Sequence, residues 1–398
     1  MDEQTAVEQT TAGLLPDQYA WHREMRASTP VWYDEERRMW HVFRYDDIQR
    51  VTTDFGLFSS DYQRLIPPEQ RKGASSMVAS DPPLHRKLRG LATQAFTPQA
   101  VAALEPRIRA IVSERLDAVS ATGQMDVIDD LAAPLPVTII AELLGIPAEA
   151  HADFKRWSDA IIIAGGQDPV AAMSGQKRYL PELAAYSQYF TDLIEQRRAQ
   201  PENDLISRLT LAQIDGEHLT QAELLAFCSL LLIAGNETTT NLIGAAMLCL
   251  EAYPAAWAQL RADPSLIPSA IEEVLRYRSV ANAVIRVSTA DTLLAGQAIP
   301  ANSLLIAWIG SANHDSTQFT DPERFDITRA PNRHLSFGHG IHYCLGAPLA
   351  RLETRIALEL MLQRFAQIQR ASDAPVQFRN TIMLAGVQSL PLRFTLAA

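Results

Sequence analysis

Apolar positions recur at three- and four-residue spacing in long blocks, the mark of helices with one buried face. Such blocks predict helices over 17–27, 46–52, 98–119, 131–144, 148–162, 179–197 and 203–213. Short apolar runs between turn residues predict strands at 31–33, 39–43 and 283–287, and more of them within 376–395 around a turn near Gly386. Another apolar run covers 304–307. The longest helix begins at Thr220-Gln221-Ala222-Glu223, which matches a capping box, and runs to about Glu251, before Pro254. That is a rod of about 45 Å. It is apolar on almost every side, so it should pass through the core. Leu345, Leu349, Leu352, Ile356 and Leu360 mark the buried stripe of a late helix.

Two stretches lack periodicity. Residues 58–78 contain Pro67, Pro68, Gly73 and paired serines, and a loop this long in a compact protein is often functional. Residues 165–175 hold three glycines and a proline and read as a flexible connection. Between them, Asp81-Pro82-Pro83 opens a helix with Asp81 as its cap. His85 and Arg89 then share one face at i and i+4, where they can bind a dianionic group. The pattern as a whole is mainly α with small β-sheets.

Composition narrows the class. The chain has 398 residues, 47% hydrophobic and 20% charged, as in an ordinary globular protein. No linker, charge block or repeat divides it, so residues 1–398 read as one domain with a loose arm over 1–15. A net charge of −11 argues against a nucleic-acid partner. Met1 to Ala12 lack the basic start and apolar core of a signal peptide, and no apolar run is long enough to span a bilayer. The three cysteines are Cys228, Cys249 and Cys344, and the first two share one helix and cannot meet. These features predict a soluble protein of the reducing cytoplasm.

The chemistry gathers at Phe337-Gly338-His339-Gly340-Ile341-His342-Tyr343-Cys344-Leu345-Gly346. Cys344 falls just before a helix start, where free N–H groups favour a thiolate. Gly338, Gly340 and Gly346 allow the close approach of a flat ligand. An anionic sulfur on such a loop suits an axial ligand to haem iron. A lone buried cysteine is the plain alternative. A zinc site of His339, His342 and Cys344 is another, but no second ligand pair stands at zinc-finger spacing. A second anomaly sits mid-way along the long helix, at Ala234-Gly235-Asn236-Glu237-Thr238-Thr239. Glycine and a buried acid both cost stability there, and that cost points to function.

Phe-x-x-Gly-x-His-x-Cys-x-Gly resembles the haem-binding signature of the cytochrome P450 family. Three further stretches resemble that family in order and spacing. They are Asp81-Pro82-Pro83-x-His85-x-x-x-Arg89, the Glu237-Thr238 segment, and Glu273-x-x-Arg276 followed by Pro322-Glu323-Arg324-Phe325. The likeness covers the chain from about Pro30 onward, and the length and lack of an anchor resemble soluble bacterial members. It implies a P450 fold with haem b between the long helix and the Cys344 loop. Cys344 is then the metal ligand. His85, Arg89, Arg286 and His342 face the haem propionates, with Phe337, Gly340, Gly346 and Ala234 also at the cofactor. Thr238 and Glu237 serve oxygen activation, as the hydroxyl at bound dioxygen and its link to a proton supply. Glu273, Arg276 and Arg324 form a structural ion-pair cluster. The region over 58–78 covers the substrate pocket, and that near 165–175 is a lid.

By the same resemblance the activity is insertion of one oxygen atom from O2 into an organic substrate, by hydroxylation or epoxidation. Leu230, Ile233, Ala234, Val284 and Ile382 are candidate pocket residues, and their apolar character suggests a largely apolar substrate. No flavin or nicotinamide fingerprint is evident, so electrons should come from a separate donor such as a ferredoxin with its reductase. Arg86, Lys87, Arg351 and Arg355 are candidates for its basic docking patch. Two rivals stay open. A peroxide-driven hydroxylase would lack the acid–threonine pair, and a haem carrier or sensor would not need it.

Overall fold

The computed structural model describes residues 16–67, 69, 76–164, 169–213, 216–380 and 382–397. The expected arm over 1–15 lies outside these residues, as do parts of the two aperiodic stretches. In chain order the first half comprises α1 (Pro16–Ser28), β1 (Val31–Asp34), β2 (Met39–Val42), α2 (Tyr45–Thr53), β3 (Phe58–Ser59), α3 (Leu84–Ala95), α4 (Pro98–Ala102), α5 (Glu105–Ser120), β4 (Gln124–Asp126), α6 (Pro134–Leu143), α7 (His151–Ala164), α8 (Pro169–Ala199) and α9 (Leu205–Leu211). The second half comprises α10 (Gln221–Ala252), α11 (Pro254–Ala262), α12 (Ile267–Tyr277), β5 (Val284–Ser288), β6 (Thr292–Leu294), β7 (Gln297–Ile299), β8 (Leu304–Ala307), α13 (Ile309–Ala312), α14 (Ala347–Arg364), β9 (Phe365–Arg370), β10 (Phe378–Asn380), β11 (Ala385–Val387) and β12 (Pro391–Leu396).

Prolines account for several departures from the expected helices. The single helix expected over 98–119 is two, α4 and α5. Pro106 has no N–H to continue the ladder from α4, and it starts α5 instead. Likewise Pro134 restarts the chain as α6 after a π-helical turn at Val127–Ala132. The connection expected through Gly175 is helix from Pro169 onward, so α8 is longer than the block at 179–197 and carries Pro181 inside it. Asp81 is not a helix cap: it accepts from the Ser59 hydroxyl and the Ser60 N–H and ties the loop after β3 to the start of α3.

α10 begins with the reciprocal Thr220–Glu223 capping box and spans about 48 Å. Almost every side chain from Thr239 to Leu250 is buried, because α6, α7, α8, α12 and α14 all pack on this rod. The main sheet runs β1-β2-β8-β5-β3, with β2 and β8 parallel and the other pairs antiparallel. Its register sets Arg286 opposite Leu305. A second sheet, β4-β12-β9, gathers the chain's end against α5 and α14. Gly386 lies within β11 rather than at a turn, and a Cβ there would drive into the amide of Asn241 on α10. That close crossing needs a glycine. Among the described residues, no helix is long and apolar enough to cross a membrane.

Candidate active site

A cavity of about 300 Å³ lies between the middle of α10 and the loop that leads into α14. Cys344 is on its wall, with Phe337, His342 and Gly346 from the same loop. The loop turns back on itself because Gly338 and Gly340 take positive φ (72° and 68°) and the Cys344 N–H donates to the Phe337 carbonyl at 2.8 Å. Gly340 does not line the cavity. It packs against the backbone of Thr52 and Thr53 at the end of α2, where a Cβ would come within 3.2 Å. Burial pushes the Cys344 thiol up, and this outweighs the lowering by the Gly346 and Ala347 N–H groups, Arg89 and Arg351. The helix start alone therefore does not offset burial at this sulfur, and a cation bound to it would favour the thiolate. Among the described residues, no group of three His, Cys, Asp or Glu side chains is placed to hold a metal, so the zinc alternative lapses.

A cluster of two histidines and two arginines stands beside the sulfur. His85 and Arg89 reach the cavity from α3, as their shared helix face requires. The His85 and His342 rings lie 4.3 Å apart, and His342 Nε2 hydrogen-bonds the Ser60 hydroxyl at 2.9 Å. Buried His85 Nε2 has no hydrogen-bond partner. Arg286 sits behind this pair and donates to the carbonyl of Ile285, the residue before it, at 2.8 Å. Burial pushes Arg286 down to about 10, and burial followed by Arg286, His85 and Arg89 pushes His342 down to about 3. Burial and then Arg89 lower His85 as well. Burial is the largest cause at each of the four, neighbouring cations add to it at His85 and His342, and an anion among them would favour their charged forms.

On the opposite wall stand Leu230, Ala234 and Thr238 of α10, with Val284 at the start of β5. The Thr238 hydroxyl donates to the Ala234 carbonyl at 2.5 Å, four residues back along the helix. Glu237 is next to it but not on the cavity wall. Two expected pocket residues are elsewhere. Ile233 is half-buried against the main helical core, and Ile382 packs on the cluster of Trp21, Phe43 and Trp308 under the main sheet. The wall is completed by Met77, Phe96, Ile140 and Phe227, and by Val280 and Ala281 just past α12. Sequence periodicity does not single these out, since residues that face a cavity and residues that face a core look alike.

The ion-pair cluster is built differently from the expectation. Glu273 and Arg276, both fully buried, pair at 2.8 Å. The arginine that joins them is Arg329, at 3.1 Å, with Asn332 donating to Glu273 at 3.1 Å. Arg324 offers only its carbonyl to Arg276, while its side chain is 69% exposed and reaches Asp326. The docking patch is also largely neutralised. Lys87 pairs with Glu217, Arg351 with Glu272, and Arg355 with Glu105 and Glu359, which leaves Arg86 as the exposed member.

Comparison with known proteins places this geometry. The family model for Cytochrome P450 matches residues 8–395. The chain is 42% identical to cyclomarin C epoxidase CymV of Salinispora arenicola, over 94% of this chain and 95% of that protein. It is 42% identical to erythromycin C-12 hydroxylase of Saccharopolyspora erythraea, over 94% and 93% of the two chains. The crystal structure of CYP109E1 from Bacillus megaterium in complex with testosterone superimposes with a TM-score of 0.86, at 39% identity, over 94% of this chain and 98% of that one.

Proposed function

The chain belongs to the cytochrome P450 family of haem-iron monooxygenases, and on that premise we propose that Cys344 holds haem b and that the cavity oxidises a large, mostly apolar organic substrate. The observation that carries the proposal is the partnerless, buried His85 Nε2 beside Arg89, Arg286 and His342. This set lacks only an anion with two carboxylates, which haem provides as its propionates. The loop fits too, since it presents one sulfur to a cavity roofed by α10. When bound, thiolate-ligated haem supplies the activation of dioxygen.

The protein's own part is to shape, dry and protonate the site. Met77, Phe96, Ile140, Leu230, Ala234 and Val284 make an apolar wall that excludes water and favours an apolar ligand. Thr238 presents a hydroxyl at that wall, and Glu237 beside it links the hydroxyl to a proton source. Glu273, Arg276 and Arg329 hold the scaffold beneath the cysteine loop. Hydroxylation or epoxidation suits relatives whose names are a hydroxylase and an epoxidase. Electrons come from a separate ferredoxin-type donor and its reductase. The cytoplasm fits three cysteines that are all free thiols.

The test is Cys344→Ser. The parent, reduced under CO, should give the thiolate-type absorption band, and the variant should lose both that band and monooxygenation. A variant that keeps the band would assign the ligand elsewhere.

A further inference from the structure

Arg351 on α14 is locked from three sides. Its Nε and Nη2 donate to both oxygens of Glu272 at 2.7 and 2.8 Å. Its Nη1 donates to the Tyr343 hydroxyl at 3.2 Å. Its guanidinium lies 4.4 Å from the centre of the Phe337 ring, in cation–π range. Phe337 is the residue whose carbonyl accepts the Cys344 N–H. Glu272 is held in turn by His334 Nε2 at 3.0 Å. His334 Nδ1 accepts from the Ser336 N–H at 3.2 Å, so Nε2 carries the proton that Glu272 receives. Burial pushes Glu272 up, but the hydrogen bonds from Arg351 and His334 outweigh it and hold the carboxyl at about 2. Both partners are therefore charged near neutral pH. With side chains 34% and 29% exposed, the pair is only partly screened by water.

We propose that Arg351 and Glu272 are positioning residues that set the reduction potential of the cysteine-ligated iron, by fixing one cation against the Phe337 face of the ligand loop and one anion behind it. This rests on Cys344 as the ligand. Reduction adds one negative charge to the site. A nearby cation stabilises the reduced form and a nearby anion opposes it. In the parent the two nearly cancel, and loss of either exposes the other. A purely structural brace predicts something else: both losses would loosen the loop in the same way.

The experiment is a spectroelectrochemical titration of full-length, haem-loaded protein. Arg351→Gln should make reduction harder and Glu272→Gln should make it easier, each by about tenfold in the reduction equilibrium constant. The double variant should return to within about threefold of the parent, as two opposite charges whose effects add require. Single variants that shift in the same direction, or neither of which shifts, overturn the proposal. If Arg351→Gln does not retain haem, Glu272→Gln and Arg351→Lys decide: the first must ease reduction and the second must leave it near the parent. The CO complex separates this from the ligand assignment. A parent without the thiolate-type band overturns Cys344 as ligand, whereas normal bands with unmoved potentials overturn only the role of the pair.

Discussion

The Asn236 side-chain amide donates to the Ser158 hydroxyl at 2.9 Å, and both groups are buried where α7 crosses α10. Asn236 precedes Glu237 and Thr238, and its carbonyl accepts from the Thr240 hydroxyl at 3.0 Å. The helix segment that carries the acid and the hydroxyl is thus tied directly to α7. Asn236→Ala leaves a buried hydroxyl without its donor and should cost about 1–3 kcal/mol of stability. A double-mutant cycle with Ser158→Ala, followed by urea unfolding, checks the link. Strictly additive losses would mean that the bond contributes nothing.

Arg329, rather than Arg324, completes the shell of Glu273. Removing it as Arg329→Leu takes one of two guanidinium partners from a carboxylate that is fully buried. The expected loss is about 3 kcal/mol, because a buried charge with too few partners is penalised heavily. Arg324→Ala should stay within about 0.5 kcal/mol, as exposed substitutions usually do. Denaturant midpoints of the two variants measure the contrast, and equal losses would contradict the assignment.

That pair of arginines shows where sequence reasoning stops. The pattern Glu273-x-x-Arg276 is local: three residues on a helix fix which side chains meet, so it could be read directly. The third member comes from an irregular stretch, where the direction of each side chain depends on turns that composition does not encode. At Arg324 the chain turns its carbonyl inward, and Arg329 returns to the cluster five residues later. The same limit separates Thr220–Glu223, Cys344 and the His85/Arg89 face, all set by short-range geometry, from Val280, Ala281 and Met77, which reach the cavity only through packing. The neutralised docking patch has this cause as well. Glu217, Glu272 and Glu105 are distant in sequence from the cations they meet.

The packing of α1 on the main sheet should be acid-sensitive. His22 and His41 are buried among Trp21, Phe43 and Trp308. Burial pushes His22 well down, helped by Arg26, His314 and His41. His41 is also lowered by burial, with Arg37 adding and Asp34 opposing. Trp308 Nε1 donates to His41 Nδ1 at 3.0 Å, which requires that nitrogen to be unprotonated. The unfolded chain binds protons at these rings as pH falls below about 6.5, and the folded chain does not. Stability should therefore be full above that pH and decline below it. Urea unfolding between about pH 8 and 5 should show a shallower decline for His22→Phe than for the parent. Parallel curves would exclude His22 as a contributor.

Thr238 offers the sharpest separation of function from fold. Its hydroxyl is satisfied by the Ala234 carbonyl at 2.5 Å within its own helix, and among the described residues no other side chain is left stranded when it goes. Alanine is also the better helix former, by about 0.5 kcal/mol. Thr238→Ala should therefore bind haem, keep the CO band of the parent and unfold at the same or a slightly higher denaturant concentration. The change should appear only in the use of electrons. Without a hydroxyl at the wall to position a proton, electrons drawn from the donor should end in hydrogen peroxide or water, and the fraction that reaches oxidised substrate should fall about tenfold or more. The measurement is the ratio of product formed to reductant consumed, with peroxide assayed in parallel. Thr238→Ser should restore most of the coupling, since it keeps the oxygen and loses only a methyl group. An alanine variant with the coupling of the parent would remove Thr238 from proton delivery. A serine variant as uncoupled as alanine would make the methyl group, and hence packing, the part that matters.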